Sequence, residues 1–300
     1  MIDATAPRAR WLALLWLALT TLLGMSTWFS GTAVLVPLRE AWQLSPTQGA
    51  WLTIAVQLGF VAGALLSALT NLLDVVPARH VLVVSALAAA AANAMFGRAT
   101  GLHDALLWRA LTGVCLAGVY PPGLKLMATW FREDRGRALG IMVGALTLGS
   151  ASPHLVLGLG DLAWRDAVFA ASASTVAGAL IGLALVREGP YPFPRARFDP
   201  SQAGRVFRDR GVRLACIGYF GHMWELYAMW AWAAAFYRDA FTSPRLASLA
   251  AFAVIAAGAG GSIYAGLLSD RVSRTEAAGR ALRSSAAVAL GAGFLVDAPT

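Results

Sequence analysis

Lysine is nearly absent from this 300-residue chain: of 24 lysines and arginines, only Lys125 is a lysine. Charged residues of both signs make up 13%, about half the roughly 25% of an ordinary soluble domain. Cysteine is scarce too. Cys115 and Cys216 both fall inside apolar stretches, so they read as free, buried small hydrophobes and exclude a disulfide framework. Neither His-Glu-x-x-His nor Gly-x-Ser-x-Gly occurs, which removes the commonest zinc-hydrolase and serine-hydrolase signatures. No cofactor motif and no metal-ligand set is expected. A net charge of +8 would suit nucleic acid if it were gathered on one face, but the arginines sit between apolar blocks. That is the pattern of loops beside anionic lipid headgroups, so the partner implied is a lipid bilayer and not nucleic acid.

What is abundant is apolar sequence: 58% of residues, with a mean hydropathy of +0.62. A membrane helix needs about 20 apolar residues, and only helices and closed barrels satisfy their backbone in hydrocarbon. The blocks are far longer than the ~10-residue alternating strands of a barrel. They predict helices at about 11–36, 49–73, 81–97, 105–131, 138–160, 166–186, 212–236 and 246–269, followed by a shorter apolar stretch at about 281–296. Arg8 and Arg10 before the first block invite a signal-peptide reading. The run from Trp11 to Val36 exceeds a 7–15-residue signal core, which favours an uncleaved first span. With the N-terminus in the cytoplasm, 17 arginines fall inside and 5 outside, leaving Arg109 and Lys125 within the fourth helix. This asymmetry follows the positive-inside rule, and the location expected is the plasma or inner membrane.

The stretch from Arg187 to Arg213 carries Pro190, Pro192, Pro194, Pro200 and seven arginines. It predicts a cytoplasmic linker over 187–211, with a surface helix near Ser201–Arg210. It separates a six-helix half (1–186) from an incomplete second half (212–300) of two to three helices. Asn71-Leu-Leu-Asp74-Val-Val-Pro77-Ala-Arg79 follows the second helix and Gly266-Leu-Leu-Ser-Asp270-Arg271-Val-Ser-Arg274 follows the eighth. An acidic-basic loop that recurs after six helices marks two parallel halves, although any short cytoplasmic loop tends to hold Asp and Arg.

On these residues the chain resembles the major facilitator superfamily. Gly266-x-x-x-Asp270-Arg271-x-x-Arg274 is similar to that family's signature loop between the second and third helix of a half. The earlier copy departs from it, with Thr70 at the leading glycine, Val75 after Asp74, and Pro77 at a glycine. Arg109-Ala-Leu-Thr-Gly113, Gly118-Val-Tyr-Pro121-Pro122-Gly123 and Trp130-Phe131-Arg132-Glu-Asp-Arg135-Gly136-Arg137 look like the fourth helix and the loop after it. Gly140, Gly144, Gly149, Pro153 and Gly158 resemble the antiporter-associated glycine-proline motif, without its glycine immediately before the proline. The resemblance implies an all-α, polytopic helical bundle that normally has twelve helices. The expectation is therefore a complete first half and a short second half, as in a fragment.

Charged groups inside a membrane are costly, by roughly 2.5–3.5 kcal/mol on insertion scales, and so are functional candidates. Glu225 lies near the middle of the seventh helix with His222 one turn earlier; the i, i+3 spacing puts them on one face. Such a pair suits proton uptake and release, or else a structural hydrogen bond. Trp224, Tyr227 and Trp230 offer aromatic walls beside it, or packing. Arg109, which the family links to proton coupling, would hold a substrate anion or a carboxylate, or snorkel to the outer interface. Lys125 lines the cavity or snorkels inward. If both cations face the cavity, the solute is anionic. His154 beside Pro153 is a second titrating group or a packing histidine. Pro121, Pro122 and Pro153 are expected to kink their helices. The resemblance implies a cytoplasmic gate in which Asp74 pairs with Arg135 or Arg137, with Asp270, Arg271, Arg274 and Arg79 nearby; solvated charge is the plain alternative.

The reading is thus a monomeric secondary active transporter, not an enzyme, moving a small, possibly anionic solute with protons as the coupling ion; nitrate, cyanate and organic-anion carriers are the relatives it suggests. Two alternatives stay open: a truncated or non-transporting membrane protein such as a sensor or decayed carrier, and an intramembrane enzyme using His222 and Glu225.

Overall fold

The computed structural model describes residues 7–159, 163–191 and 208–296, and every regular element among them is helical. The expected surface helix near Ser201–Arg210 and most of the linker lie outside the described residues.

The first predicted span is not one helix. It divides into α1 (Pro7–Gly24), a 3-10 turn (Met25–Thr27), α2 (Ser30–Ala33) and α3 (Leu35–Trp42). The cause is local. Ser26, Thr27, Ser30 and Thr32 crowd the break, and short hydroxyl side chains compete with the backbone for its own carbonyls. Ser26 donates to the Leu23 carbonyl at 2.8 Å and Ser30 to that of Thr27 at 3.0 Å. Next, α4 (Pro46–Leu69) starts on a capping box between Ser45 and Gln48, with proline in its first turn, a strong start signal. The short α5 (Leu72–Val75) carries Asp74 into α6 (Ala78–Arg98). The fourth predicted span is split into α7 (Leu102–Leu116) and α8 (Tyr120–Ala128). Pro121 and Pro122 occupy the first turn of α8, where a missing N–H is harmless, so the expected bend falls just before them.

Pro153 behaves otherwise. The helix that contains it, α9 (Arg135–Leu159), is one continuous element with Pro153 inside it. Proline leaves the Gly149 carbonyl without its helical donor, and the Ser152 hydroxyl donates to that carbonyl at 2.7 Å. Then come α10 (Trp164–Leu185), α11 (Arg210–Ala240), α12 (Pro244–Arg271) and α13 (Arg274–Val296). At 23 residues α13 is longer than the stretch expected from 281, because Ser273 caps it and Glu276 pairs with Arg280 at 2.8 Å. Among the described residues, seven helices are long and apolar enough to cross a membrane: α1 with its 3-10 turn, α4, α6, α7 with α8, α9, α10 and α12. The 31-residue α11 is long enough to span, but its polar and aromatic side chains lower its hydropathy.

The first six spans pack into one bundle through α4 on α7, α6 on α10 and α7, and α1 on α9 and α10. Leu58, Leu65, Val84, Leu107 and Leu180 are exposed on its outside, as a lipid-facing surface requires. The second-half helices join it mainly where α12 lies along α9. Gly136, Gly140 and Gly266 make that crossing close: a Cβ at Gly140 would stand 2.5 Å from the Ser262 carbonyl oxygen. Small residues are what let membrane helices approach this far. One end of the bundle gathers Arg10, Arg79, Arg135, Arg137, Asp270 and Arg274, and is called the basic end below.

Candidate functional site

The contacts between the first six spans and α11–α12 fall in three layers. At the basic end, the Asp270 carboxylate at the close of α12 accepts from the backbone N–H groups of Gly136 and Arg137, each at 2.8 Å. These are orphan donors of the first turn of α9, where negative charge is also favoured by the helix dipole.

The neighbouring charges arrange themselves differently from the expected gate. Asp74 pairs with neither Arg135 nor Arg137 but with Lys125, Nζ to Oδ1 at 2.8 Å, and Lys125 also donates to the Leu73 carbonyl. The reason is reach: α5 sits beside the end of α8, whereas the Arg135 Nε donates to the Phe131 carbonyl at 2.8 Å and the Arg137 guanidinium stacks over Trp11 at 4.6 Å. Arg79 donates to the Leu183 carbonyl. Arg271 and Arg274 are exposed. A salt bridge absent from the sequence reading, Arg10 to Asp134 at 2.8 Å, ties α1 to the turn before α9. Past α10, the chain is held on the end of α8: the Gly189 N–H donates to the Thr129 hydroxyl at 2.7 Å and the Trp130 indole to the Arg187 carbonyl at 3.0 Å.

In the middle layer, aromatic rings meet across the halves. Trp28, in the break of the first span, stacks on Tyr227 of α11 with centroids 6.2 Å apart and planes 24° apart. Phe60 of α4 closes on Trp28 edge-on at 4.9 Å, and Phe29 meets Trp230 edge-on at 5.2 Å. Tyr120 of α8 stands within electrostatic reach of Tyr219 and Tyr227. Of the aromatics named from sequence, Tyr227 and Trp230 therefore face the first half, while Trp224 is 82% exposed and points away.

The expected His222–Glu225 pair is not made among the described residues. His222 is exposed, and Glu225 accepts a hydrogen bond from Ser285 of α13. Glu225 lies two residues from Tyr227, and in a helix that step turns it about 200° away from the ring face.

Arg109 is fully buried. Its Nη1 donates to the Thr27 carbonyl at 2.9 Å and the Ser30 hydroxyl at 3.1 Å, Nη2 to the Trp28 carbonyl, and Nε to the Leu52 carbonyl at 3.5 Å. Asn93 Oδ1 stands 3.4 Å from Nη1, and the Phe96 ring lies 5.5 Å from the guanidinium carbon. The break in the first span frees carbonyls, and Arg109 takes them. It therefore neither snorkels nor meets a carboxylate. Lys125 is matched by Asp74 at the basic end, so the two cations do not meet in one site. His154, fully buried, has no partner on either ring nitrogen among the described residues.

The third layer, at the opposite end, was not foreseen. Arg238 at the end of α11 reaches Glu40 of α3 at 3.8 Å, and Arg245 of α12 donates to the Gly158 and Leu159 carbonyls at 2.7 and 3.2 Å. No group of three or more acidic, histidine or cysteine side chains suited to a metal occurs among the described residues.

Comparison with known proteins sets this arrangement in a family. No curated protein sequence matches the chain. The fold is similar to the crystal structure of a bacterial homolog of the human lysosomal transporter Spinster, in an inward-facing and unoccupied conformation, with a TM-score of 0.63 and 18% identity. The match covers 89% of this chain and 64% of that one, so this chain spans under two thirds of the relative's length. The family model for the Major Facilitator Superfamily matches residues 16–299. With nearly its whole length inside that match, the chain belongs to the Major Facilitator Superfamily.

Proposed function

We propose that this chain works as a secondary active transporter of a small solute, and not as an enzyme, by alternating access between the two halves. The observation that carries the reading is that separable contacts join the halves at both ends: Asp270 on the first turn of α9 at one, and Arg238 on Glu40 with Arg245 on the Gly158 and Leu159 carbonyls at the other. Exposed polar contacts are worth about 0–1 kcal/mol, which suits links that must break and re-form in each cycle. The basic end is the cytoplasmic one in this proposal, in the plasma or inner membrane, and the chain acts as a monomer.

Protons are the proposed coupling ion, with Glu225 as the group that takes up and releases them. A carboxyl group within a spanning helix is costly to keep charged and is retained for a reason; its Ser285 partner gives it a hydrogen bond in either protonation state. His154, buried with no partner among the described residues, is a second candidate in the same role. Symport and antiport both fit such a coupling.

Spin labels test this without knowing the solute. With Cys115 and Cys216 replaced by serine, one pair is placed at Arg132 and Arg274 for the basic end and another at Ala41 and Ala240 for the opposite end. Alternating access gives two distance populations at each end that change in opposite senses as pH is varied. A single unchanging distance at both ends rejects transport by this chain. If Glu225→Gln keeps the wild-type pH dependence, coupling through Glu225 fails while the transport reading stands.

A further inference from the structure

We infer that the central aromatic layer is the solute site and that it selects an organic cation with aromatic or alkyl substituents, a reading that rests on the transport proposal above. Three observations converge. First, the Trp28–Tyr227 stack is built from one ring of each half, so parting the halves at this level exposes two facing π surfaces. A cation over the face of Trp or Tyr is attracted by the ring quadrupole, most strongly where water is excluded. An anion at the same place is repelled.

Second, the described residues leave no basic group to hold an anion there. The Arg109 guanidinium is already engaged by the carbonyls of Thr27, Trp28 and Leu52 and by the Ser30 hydroxyl, and Lys125 is matched by Asp74 at the basic end. Arg109 serves the site as a positioning residue: its bond to the Trp28 carbonyl fixes the backbone from which that indole projects.

Third, the site has polar handles without partners. Trp28 is 4% exposed, and its indole N–H is buried with no acceptor among the described residues. A buried polar group left unmatched is uncommon in a native protein and calls for a reason. Tyr120 and Tyr227 pack against the same buried cluster as Trp28. An oxygen on the solute would accept from the Trp28 N–H, while the phenol and indole faces surround its cationic end.

The test uses two ions of nearly the same size and shape but opposite charge, tetraphenylphosphonium and tetraphenylborate, with the full 300-residue chain in lipid nanodiscs. Equilibrium binding is compared with empty nanodiscs, which measure partition into lipid alone. The cation is expected to bind saturably and the anion to show partition only. Trp28→Ala and Tyr227→Leu are each expected to weaken cation binding by about tenfold to thirtyfold, the range of a desolvated cation–π contact. Tyr227→Phe, which keeps the ring, stays within about threefold and guards against loss by misfolding, and Trp224→Ala, on the outward face, changes nothing. Equal saturable binding of both ions, absence of saturable cation binding, or binding indifferent to Trp28→Ala and Tyr227→Leu overturns the inference. Because binding is read directly, a chain that binds the cation but shows no alternating distances would lose the transport reading and keep the site.

Discussion

The Asp270 carboxylate of α12 caps the first turn of α9 by accepting from the N–H groups of Gly136 and Arg137, both at 2.8 Å. At the basic end it joins α12 to the first six spans through a helix terminus, whereas the opposite end uses the Arg238–Glu40 salt bridge. Losing a helix cap costs about 0.5–2 kcal/mol, which corresponds to a two- to thirtyfold change in an equilibrium. Asp270→Ala is expected to enlarge the long-distance population of the Arg132/Arg274 label pair by that factor, and Asp270→Asn, with one acceptor left, by less. An unchanged distribution would show that the contact does not hold the end closed.

Arg109 is expected to be a stability residue before it is anything else. Hydrogen bonds to a charged group are worth about 1.5–3 kcal/mol each, and several are lost together in Arg109→Ala. The melting temperature of the purified protein should fall by more than about 8 °C, or no folded protein should be recovered. Arg109→Lys keeps the charge without the forked geometry and should fall in between. A melting point within about 2 °C of the wild type would show that these hydrogen bonds do not hold the fold.

The partly buried Asp74–Lys125 pair predicts coupled substitutions. Asp74→Asn and Lys125→Gln each leave one charge unmatched and should lower the melting temperature by about 2–4 °C, the shift for roughly 1 kcal/mol in a chain of this size. The exchanged double variant Asp74→Lys with Lys125→Asp should recover at least half of the loss, as a double-mutant cycle reads it. Additive losses would rule out a direct interaction.

The α9–α12 crossing predicts a contrast between two glycines. A Cβ at Gly140 meets the Ser262 carbonyl at 2.5 Å and the Ile263 Cα at 3.2 Å, whereas one at Gly258 meets only the Thr147 methyl at 3.6 Å. Gly140→Ala should cost about 1–3 kcal/mol through overpacking against backbone, seen as a lower melting point, and Gly258→Ala should be tolerated. Equal melting points for the two variants would mean the helices part more easily than their spacing indicates.

The positions of the spans were legible because hydrocarbon thickness fixes their length and arginine marks their ends. Pro121 and Pro122 announced their bend for an equally local reason. The break at residues 25–34 was not legible as a break, since Ser26, Thr27 and Ser30 lie in a run apolar enough to cross a membrane; only their hydroxyls betray a competing set of backbone bonds. Arg109 stood out as a charge in a helix, but its acceptors come from elements 16 to 82 residues away, and no local period carries that information. The Trp28–Tyr227 stack and the Glu40–Arg238 pair were missed for the same cause. Glu225 and His222 failed as a pair because sharing a face permits a contact without requiring it, and Ser285 offered Glu225 an uncharged partner.

The continuity of α9 through Pro153 has a mechanical consequence. From Gly136 to Gly158 the helix rises by about 33 Å at 1.5 Å per residue, and both of those residues are tied to α12, by Asp270 at one end and by Arg245 at the other. A rod held at its tips and touching its neighbour near Gly144 and Ala259 in between behaves as a lever on a fulcrum. Tilting it by about 10° carries the Gly136 tip roughly 2 Å and the Gly158 tip roughly 4 Å, enough to break a hydrogen bond. Under the alternating-access proposal the tips move in opposite directions, so strain that pries one mouth apart presses the other shut, and a leak through both at once is opposed by the stiffness of a single helix.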